Sequence, residues 1–347
     1  MRLTLLFALL VFPAFADEKP KPNTLTAKEI ADGWIMLFDG ETTFGWKVDG
    51  EAKVRDGHLV VGGEKATTLQ NTSIFKTVVA EITYPISDSD MPGRSRFTRD
   101  ETGSAFDIAG VPNCELHVTN DGVIVIRVVA GKSARLMSIK CKPDLNQPLF
   151  NTKDLTGWKT YDPAKAKAAD PKAKEVKVAS KYTVTKEGWL NVKDGGGDLQ
   201  TEGQWADFVL QFECISNGKH LNSGMFFRCI PDLYQQGYEA QIRNEWMGDD
   251  RTKPVDFGTG AIYRRQPARK VVSTDGEWFT MTVAAHGRHI ATWVNGYQTV
   301  DWTDDRKEAD NARQGFKKSK GALSIQGHDP TTDLSFRNIR IQSPDAK

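Results

Sequence analysis

The chain has 347 residues, with 46 Lys and Arg against 45 Asp and Glu, and a formal net charge of +1. A chain of this length usually forms two domains, each large enough to bury its own core. Because there is no surplus of basic residues, sequence-independent binding to phosphates is excluded as the main activity, and we expect no nucleic-acid partner.

The first 16 residues have the three-part layout of a secretory signal peptide. Arg2 supplies a positive charge, an apolar run extends from Leu3 to Phe12, and Ala14-Phe15-Ala16 is a small-x-small cleavage site. The run is too short to cross a bilayer, which needs about 20 residues. The sequence therefore predicts a secreted or periplasmic protein without a membrane span. Residues 1–16 are the signal peptide and residues 17–30 a flexible leader.

An internal repeat follows the leader. The segment from Leu37 to Lys47 returns 112 residues later as Leu149 to Lys159, with five of eleven positions identical. Such an echo indicates two copies of one domain type in tandem. We place the first, shortened copy at residues 31–143 and the second, full copy at residues 144–347. Within them, Asp88 to Thr102 is interpreted as a loop and Pro163 to Lys177 as a helical or disordered insertion.

Most of the remaining pattern is typical of strands. Alternating or β-branched runs recur at Gly122–Val129, Phe208–Ile215, Met225–Ile230, Tyr238–Ile242, Trp278–Ala285, Ile290–Val294 and Leu334–Ile341. Asn295-Gly296 lies between two apolar runs, where it predicts a type I′ hairpin turn. Many short strands with Gly-rich turns predict an all-β protein built from sandwich or jelly-roll domains.

Four cysteines leave two interpretations open. Export would permit disulfides, and the division between the two halves suggests the pairs Cys114–Cys141 and Cys214–Cys229. Free buried thiols are an equally good alternative, because the sequence does not place the Cβ atoms. The cysteine spacing does not resemble a zinc site.

A series of motifs in the second copy resembles a known family. After the Leu-Phe-Asn…Gly-Trp opening, the series comprises Asn222–Arg228, Gly237–Ile242, Gly260–Tyr263, Val294–Gly296 and Phe336–Ile341. It is similar to the concanavalin A-like domain of 3-keto-disaccharide hydrolases over nearly all of residues 144–347. The first copy keeps only the opening clearly, so the resemblance implies a fold there but no activity.

The resemblance implies an enzyme, a hydrolase or lyase, that cleaves glycosides already oxidised to a ketone at C3. Such proteins remove the C2 proton, expel the C1 substituent and can then hydrate the product. A C3 ketone acidifies the neighbouring C–H bond, so a modest base suffices. No cofactor is evident in the sequence. A different, upstream enzyme must therefore oxidise the glycoside or oligosaccharide substrate at C3.

Candidate catalytic residues come from strand periodicity and from one loop. Alternation places Glu239 and Gln241 on one face of a strand, and it places Asn222 and Arg228 on one face of another. Carboxylate, amide and guanidinium groups on a concave sheet can bind hydroxyls and hold an acid or base. The alternative is a surface Glu–Arg pair of little energetic value. His328 lies beside an aspartate in a predicted loop, as an acid, a base, a metal ligand or simply a solvated side chain.

The candidates divide into two groups. Those with catalytic roles are Glu239, His328 and Arg228. Those with substrate-binding roles are Asn222, Gln241, Trp246, Tyr263 and Gln326, the two aromatic residues being possible sugar platforms. A divalent cation is possible at the acidic run Trp246–Asp250 or at Asp304-Asp305, although acidic loops usually bind nothing.

Two other functions remain open at this point. The first is a carbohydrate-binding protein without catalysis, because concanavalin A-like sandwiches carry both roles. The second is a conventional glycosidase, which needs two carboxylates at a defined separation. The sequence offers Glu239 but no convincing second carboxylate.

Overall fold

The computed structural model describes residues 23–86, 92–99, 113–161, 167–168, 171 and 179–344. Its named strands pair in antiparallel ladders, which confirms the all-β prediction. A short helix, α1 (Ala27–Ala31), precedes the first strand. None of the helices in the described ranges is long and apolar enough to cross a membrane.

The strands of the first copy pair with one another in three small sheets. They are β1 (Ile35–Met36), β2 (Trp46–Asp49), β3 (Ala52–Arg55), β4 (His58–Gly63), β5 (Thr67–Ile74), β6 (Val78–Pro85), β7 (Pro92–Arg99), β8 (Cys114–Val118), β9 (Val123–Val128), β10 (Lys132–Leu136) and β11 (Ser138–Pro143). The sheet orders are β1-β11-β6-β7, β2-β5-β9-β8 and β10-β4-β3.

The strands of the second copy form one larger, connected sheet system. They are β12 (Gln147–Pro148), β13 (Trp158–Thr160), β14 (Lys181–Val184), β15 (Leu190–Trp205), β16 (Phe208–Ser216), β17 (Ser223–Cys229), β18 (Tyr238–Ile242), β19 (Phe279–His286), β20 (His289–Val294), β21 (Tyr297–Thr303) and β22 (Gly321–Gln342). The main order is β13-β15-β22-β16-β19-β20-β21, and β17 joins β22 to β18.

Two long strands, β15 and β22, belong to both layers of this second sandwich. Register shifts interrupt their pairing and bend them between the layers. In what we call the front layer, residues 197–205 of β15 pair with residues 321–327 of β22, β22 also pairs with β17, and β17 pairs with β18. In the back layer, residues 334–342 pair with β16, which continues into β19, β20 and β21. One apolar core fills the space between the layers.

The repeated opening motif makes the same contact in both copies. Trp46 Nε1 donates a hydrogen bond to the Leu37 carbonyl at 2.5 Å, and Trp158 Nε1 donates to the Leu149 carbonyl at 2.7 Å. Each tryptophan is buried and lies nine residues after its acceptor. The identical residues therefore close the same turn at the start of each copy.

The first copy packs against the outer face of the back layer. Val209, Ala284, Ala291 and Trp293 point away from the second core and join the apolar cluster of the first copy. Trp293 is completely buried, and its Nε1 donates to the Met36 carbonyl at 2.9 Å. The back layer is therefore covered on both faces.

One predicted loop is wrong over part of its length. Within Asp88 to Thr102, residues Pro92–Arg99 form β7, which pairs with β6 along its whole length. Its side chains alternate between exposed and buried, with Arg94 and Arg96 outward and ion-paired to Glu81. The outward-facing arginines make the sequence of this strand look polar, because only every second residue of such a strand is buried.

The predicted leader and insertion lie partly outside the described residues. Residues 1–22 are outside them, as is most of Pro163 to Lys177. The end of the leader is ordered rather than flexible, since α1 begins there. Thr26 and Glu29 form a capping box, and Glu29 also pairs with Lys140 of β11. These contacts attach the segment to the first copy.

The hairpin prediction is confirmed, whereas the suggested disulfides are not formed. Asn295 and Gly296 have φ values of 48° and 77° and connect β20 to β21, as a type I′ turn requires. All four cysteines are free thiols, and three of them are buried. Desolvation raises the pKa of the Cys114 thiol to about 12, which favours the protonated form.

Replacing Trp293 with Ala should destabilise the protein by about 3–5 kcal/mol, because it opens a cavity between the copies and removes a buried hydrogen bond. Urea denaturation followed by circular dichroism measures this change. Val129→Ala is the control, since Val129 is 55% exposed, and it should change stability by less than about 0.5 kcal/mol. A loss below about 1 kcal/mol for Trp293→Ala would show that the contact between the copies contributes little.

Candidate active site

Strand alternation places a set of polar residues on the outer face of the front layer. Leu199, Ala240 and Ile325 point into the apolar core of the second copy. Their neighbours along each strand therefore point to the opposite face. That face carries Asp198, Gln200, Glu239, Gln241, Ser324 and Gln326, all of which are buried.

A cleft of about 430 Å³ opens over this polar face. It is lined by Asn222, Gln235, Gln236, Glu239, Tyr263, Arg264, Arg313, Gln326 and His328. Five of these nine were candidates from the sequence: Asn222, Glu239, Tyr263, Gln326 and His328. The lining is rich in amides and guanidinium groups, which bind hydroxyl and ketone oxygens.

Glu239 lies at the floor of the cleft and is only 4% exposed. Its side chain passes over Gly224 of the neighbouring strand, where an added Cβ would come within 2.8 Å of the Glu239 Cγ. Arg313 Nη2 donates to the Glu239 Oε2 at 2.9 Å. Gly224 thus provides the space that the carboxylate occupies, and Arg313 holds one of its oxygens.

The pKa of Glu239 is raised to about 7. Desolvation by burial is the largest cause, and Asp256 adds to it, whereas Arg313 and Arg264 act in the opposite direction. A carboxyl group with this pKa can both take and return a proton near neutral pH. General acid–base catalysis is most efficient under that condition.

Two arginines in the cleft were missed from the sequence. Arg313 belongs to the segment between β21 and β22, and Arg264 follows Tyr263 in the segment after β18. Arg264 has a φ of 58°, a conformation that costs free energy in a residue other than glycine. It forms no ion pair within the described residues, and its guanidinium lies 5.3 Å from the centre of the Tyr263 ring. No local motif marks either arginine, because each reaches the cleft from an irregular segment.

His328 stands at the rim of the cleft, where β22 leaves the front layer. Its side chain is 36% exposed, and its Nδ1 hydrogen-bonds the carboxylate of Asp329 at 2.7 Å. A neutral ring held in this way donates from Nδ1 and leaves Nε2 as the free nitrogen. Gln326 lies two residues earlier, and its Oε1 has no hydrogen-bond partner in the described part of the chain.

Asn222 and Gln241 share one acceptor beside the cleft. Both amides donate to the Asp256 Oδ2, at 2.9 Å and 3.3 Å. Asn222 lines the cleft, but Gln241 is buried and is not part of the lining. Gln241 therefore supports Asn222 through Asp256 rather than facing the cleft.

Arg228 is not in the cleft, contrary to the prediction from strand alternation. A register shift between Phe226 and Cys229 and a φ of 49° at Arg228 turn its side chain away from the Glu239 face. It is completely buried and donates to the carbonyls of Ala206, Gly287 and Lys317. Arg228 is therefore a structural residue.

Trp246 is also absent from the cleft lining. Its ring lies under the guanidinium of Arg251, at 4.0 Å from the ring centre. A cation on one face of the indole occupies a surface that a sugar would need. Tyr263 keeps its predicted place in the cleft wall and makes an edge contact with Phe257.

The acidic segments have protein partners. Both oxygens of Asp304 accept hydrogen bonds from Arg306, and Tyr238 donates to Oδ2 at 2.6 Å. Asp250 accepts from Thr252 and pairs with Lys253. No three His, Cys, Asp or Glu side chains in the described ranges are arranged to hold a metal. The acidic segments therefore do not supply a donor set that fits a divalent cation.

Glu239→Gln should become more stable relative to the natural protein as the pH rises. The free energy of unfolding of the variant minus that of the natural protein should be larger at about pH 8 than at about pH 5. The folded carboxyl has a pKa of about 7 against the usual 4.5, so between these values the folded state holds a proton that the unfolded state releases. The stabilisation associated with that proton is complete below about pH 4.5 and lost as the pH rises through about 7. Urea denaturation at the two pH values measures the difference. An equal effect of the substitution at both would contradict the raised pKa.

Comparisons with known proteins identify a family for most of the second copy. A family profile described as a 3-keto-alpha-glucoside-1,2-lyase-like domain matches residues 146–342. No match was found among curated proteins.

Several solved structures are similar to part of this chain. Two are from Parabacteroides distasonis and are described as glycosyl hydrolases. One is 22% identical with a TM-score of 0.43, covering 57% of this chain and 93% of its own. The other is 23% identical with a TM-score of 0.42, covering 57% and 98%. The carbohydrate-binding module CBM66 from Bacillus subtilis is 15% identical with a TM-score of 0.36, covering 54% and 96%. Because the family profile spans more than half of the chain, the protein belongs to the 3-keto-alpha-glucoside-1,2-lyase-like family, as the motif series predicted.

Proposed function

We propose that this protein cleaves 3-keto-glycosides by elimination across C1 and C2, in the cleft of the second copy. The observation that carries the proposal is Glu239, a buried carboxyl with a pKa near neutrality and an arginine on one oxygen. Membership of the family supports the choice of substrate class. A C3 ketone makes the C2 proton acidic enough for a carboxylate base.

In the first step, ionised Glu239 removes the C2 proton. The electrons of the C2–H bond move into a C2=C3 double bond, and negative charge develops on the former ketone oxygen. A donor or cation close to that oxygen lowers the barrier, because the charge is larger in the transition state than in the ground state. Arg264 is suited to this role because it lines the cleft and has no carboxylate partner in the described structure.

In the second step, the C3 ketone re-forms, a C1=C2 double bond appears and the C1–O bond breaks. The electron pair of that bond goes to the departing oxygen, which must gain a proton. The imidazolium form of His328 can supply it from Nε2, because Asp329 holds Nδ1–H and its carboxylate stabilises the positive ring. The products are the unsaturated 3-keto sugar and the free alcohol of the aglycone.

Addition of water to the double bond would complete a net hydrolysis. The water oxygen bonds to C1 while its proton passes to Nε2 of the neutral His328 left by the second step, and the Glu239 carboxyl, protonated in the first step, returns its proton to C2. The amides of Asn222, Gln235 and Gln326 line the cleft and can bind the remaining sugar hydroxyls. An oxidation of the glycoside at C3 must come first, so we propose an upstream oxidising enzyme. We also propose that the chain is exported, on the basis of its signal-peptide pattern.

Glu239→Gln should abolish release of the aglycone from a 3-keto-glucoside, by at least about 1,000-fold in kcat, because the amide cannot accept the C2 proton. The assay compares the keto substrate with its unoxidised parent, with and without a chelator. Glu213→Gln is the matched control, since that carboxylate pairs with Arg337 outside the cleft and should leave turnover unchanged. Full activity of Glu239→Gln would refute the assignment. Glycan binding without turnover in the natural protein would favour a carbohydrate-binding protein.

Arg264→Ala should lower kcat by about 100-fold with a smaller change in KM, because the charge it stabilises develops in the transition state. Arg264→Lys should recover part of the loss, since it restores a cation without the planar guanidinium. Arg265→Ala serves as a comparison for damage to the segment, because Arg265 donates to the backbone carbonyls of Arg264 and Arg313. A change confined to KM in Arg264→Ala would assign this residue to uniform substrate binding instead.

A further inference from the structure

Asp198 is a buried carboxyl under the cleft for which the proposed reaction has no use. It lies on β15, opposite Gln326 in the register with β22, and none of its surface is exposed. Burying a carboxyl group is costly, so a structural or functional reason is expected for one at this place. It is not among the residues that line the cleft, so direct contact with a sugar is not its role.

A continuous set of hydrogen bonds connects Asp198 to Glu239. The Gln235 backbone N–H donates to the Asp198 Oδ2 at 2.9 Å, and the Gln235 carbonyl accepts from the Arg313 Nε at 2.9 Å. Arg313 Nη2 then donates to the Glu239 Oε2 at 2.9 Å. Gln235 has a φ of 59°, a conformation that the surrounding contacts must maintain.

We propose that Asp198 is a positioning residue, which holds Gln235 so that its carbonyl orients Arg313 on Glu239. The proposal rests on the proposed function for its effect on turnover, but not for its effect on the position of Arg313. Loss of the Asp198 acceptor would remove a hydrogen bond that helps hold the Gln235 backbone at its φ of 59°, and the direction of its carbonyl would change. Arg313 would then keep its charge but lose one of the two bonds that set the angle of its guanidinium.

Gln200 anchors the same loop at a different point. Its Oε1 accepts from the Asp232 N–H at 2.9 Å, and its Nε2 donates to the Leu233 carbonyl at 3.2 Å. Asp198 and Gln200 share one face of β15 and are both buried. Both also bind the backbone of the segment between β17 and β18. Of the two, only Asp198 contacts the backbone of the residue whose carbonyl accepts from Arg313. The Gln200 side chain also hydrogen-bonds Asp198, so Gln200→Ala tests loosening of the loop while the Asp198–Gln235 bond remains.

The surroundings of Asp198 raise its affinity for a proton. Burial raises the pKa of Asp198 to about 7 and the charge of Glu239 acts in the same direction, whereas hydrogen bonds from Gln235, Gln200 and Ser324 oppose the rise. The other titratable groups that its charge reaches are Tyr182, Tyr234 and Cys229. Because its hydrogen-bond donor is a backbone N–H, an uncharged acceptor of the same shape should serve nearly as well.

The test compares Asp198→Ala, Asp198→Asn and Gln200→Ala with the natural protein. Asp198→Ala should lower kcat on the 3-keto-glucoside by about 100-fold, with KM changed by less than about threefold, because Arg313 no longer presents Glu239 correctly. Asp198→Asn should recover most of kcat, since its amide oxygen can still accept from Gln235. Gln200→Ala should lose less than about tenfold.

A second measurement does not depend on turnover. In protein labelled with ¹⁵N-arginine, the Nε–H signal of Arg313, assigned by its loss in Arg313→Lys, should be slow to exchange with water. It should persist in Asp198→Asn and Gln200→Ala and be lost in Asp198→Ala. If the natural protein shows this signal but no turnover, the proposed function fails and the positioning role stands.

Three results would overturn the positioning role. One is an Asp198→Ala protein that keeps both kcat and the Arg313 signal. Another, which applies even if Asp198→Ala does not fold, is a Gln235 amide in the natural protein that exchanges as fast as an exposed loop amide. A loss of kcat in Asp198→Asn as large as that in Asp198→Ala would also contradict it, because the charge rather than the hydrogen bond would then be required.

Discussion

The back layer of the second sandwich is buried on both faces, and the position of the cleft depends on this. Its inner face meets the core between the layers, and its outer face meets the first copy through Trp293 and its neighbours. Apolar burial of this kind is the main favourable contribution to folding. The polar residues are concentrated on the outer face of the front layer, and the cleft opens there. The first copy thus acts as a cover for the back layer.

The acid–base chemistry of the cleft depends on two opposing effects on the pKa of Glu239, which are desolvation by burial and the positive charge of Arg313. Burial alone would keep the carboxyl protonated, and an exposed ion pair with Arg313 would keep it ionised. Together they leave its pKa at about 7. Gly224 is part of the same balance, because a side chain there would displace the carboxylate from the floor of the cleft. Small changes in the loop that holds Arg313 should therefore alter the acid–base behaviour of the site.

Strand periodicity predicted part of the site and misplaced the rest for identifiable reasons. Glu239 and Gln241 share a face because β18 is regular over its five residues. The same argument fails for Arg228, because the bulge after Phe226 breaks the alternation on β17. Asp198 was missed because its segment contains several glycines and does not look like a strand in sequence. Arg313 and Arg264 were missed because irregular segments have no period from which a direction can be read.

The sequence by itself determined the all-β class, the repeated opening motif, the type I′ turn at Asn295-Gly296 and the family, because these depend on local residue patterns and their order along the chain. Tertiary structure alone decided which charged groups meet Glu239, whether the cysteines pair, and what the first copy covers. Arg313 is 74 residues from Glu239 in the chain, and Trp293 is 257 residues from Met36. Contacts over such separations arise from how the layers pack. Packing depends on the fit of many side chains at once, and no local pattern contains it.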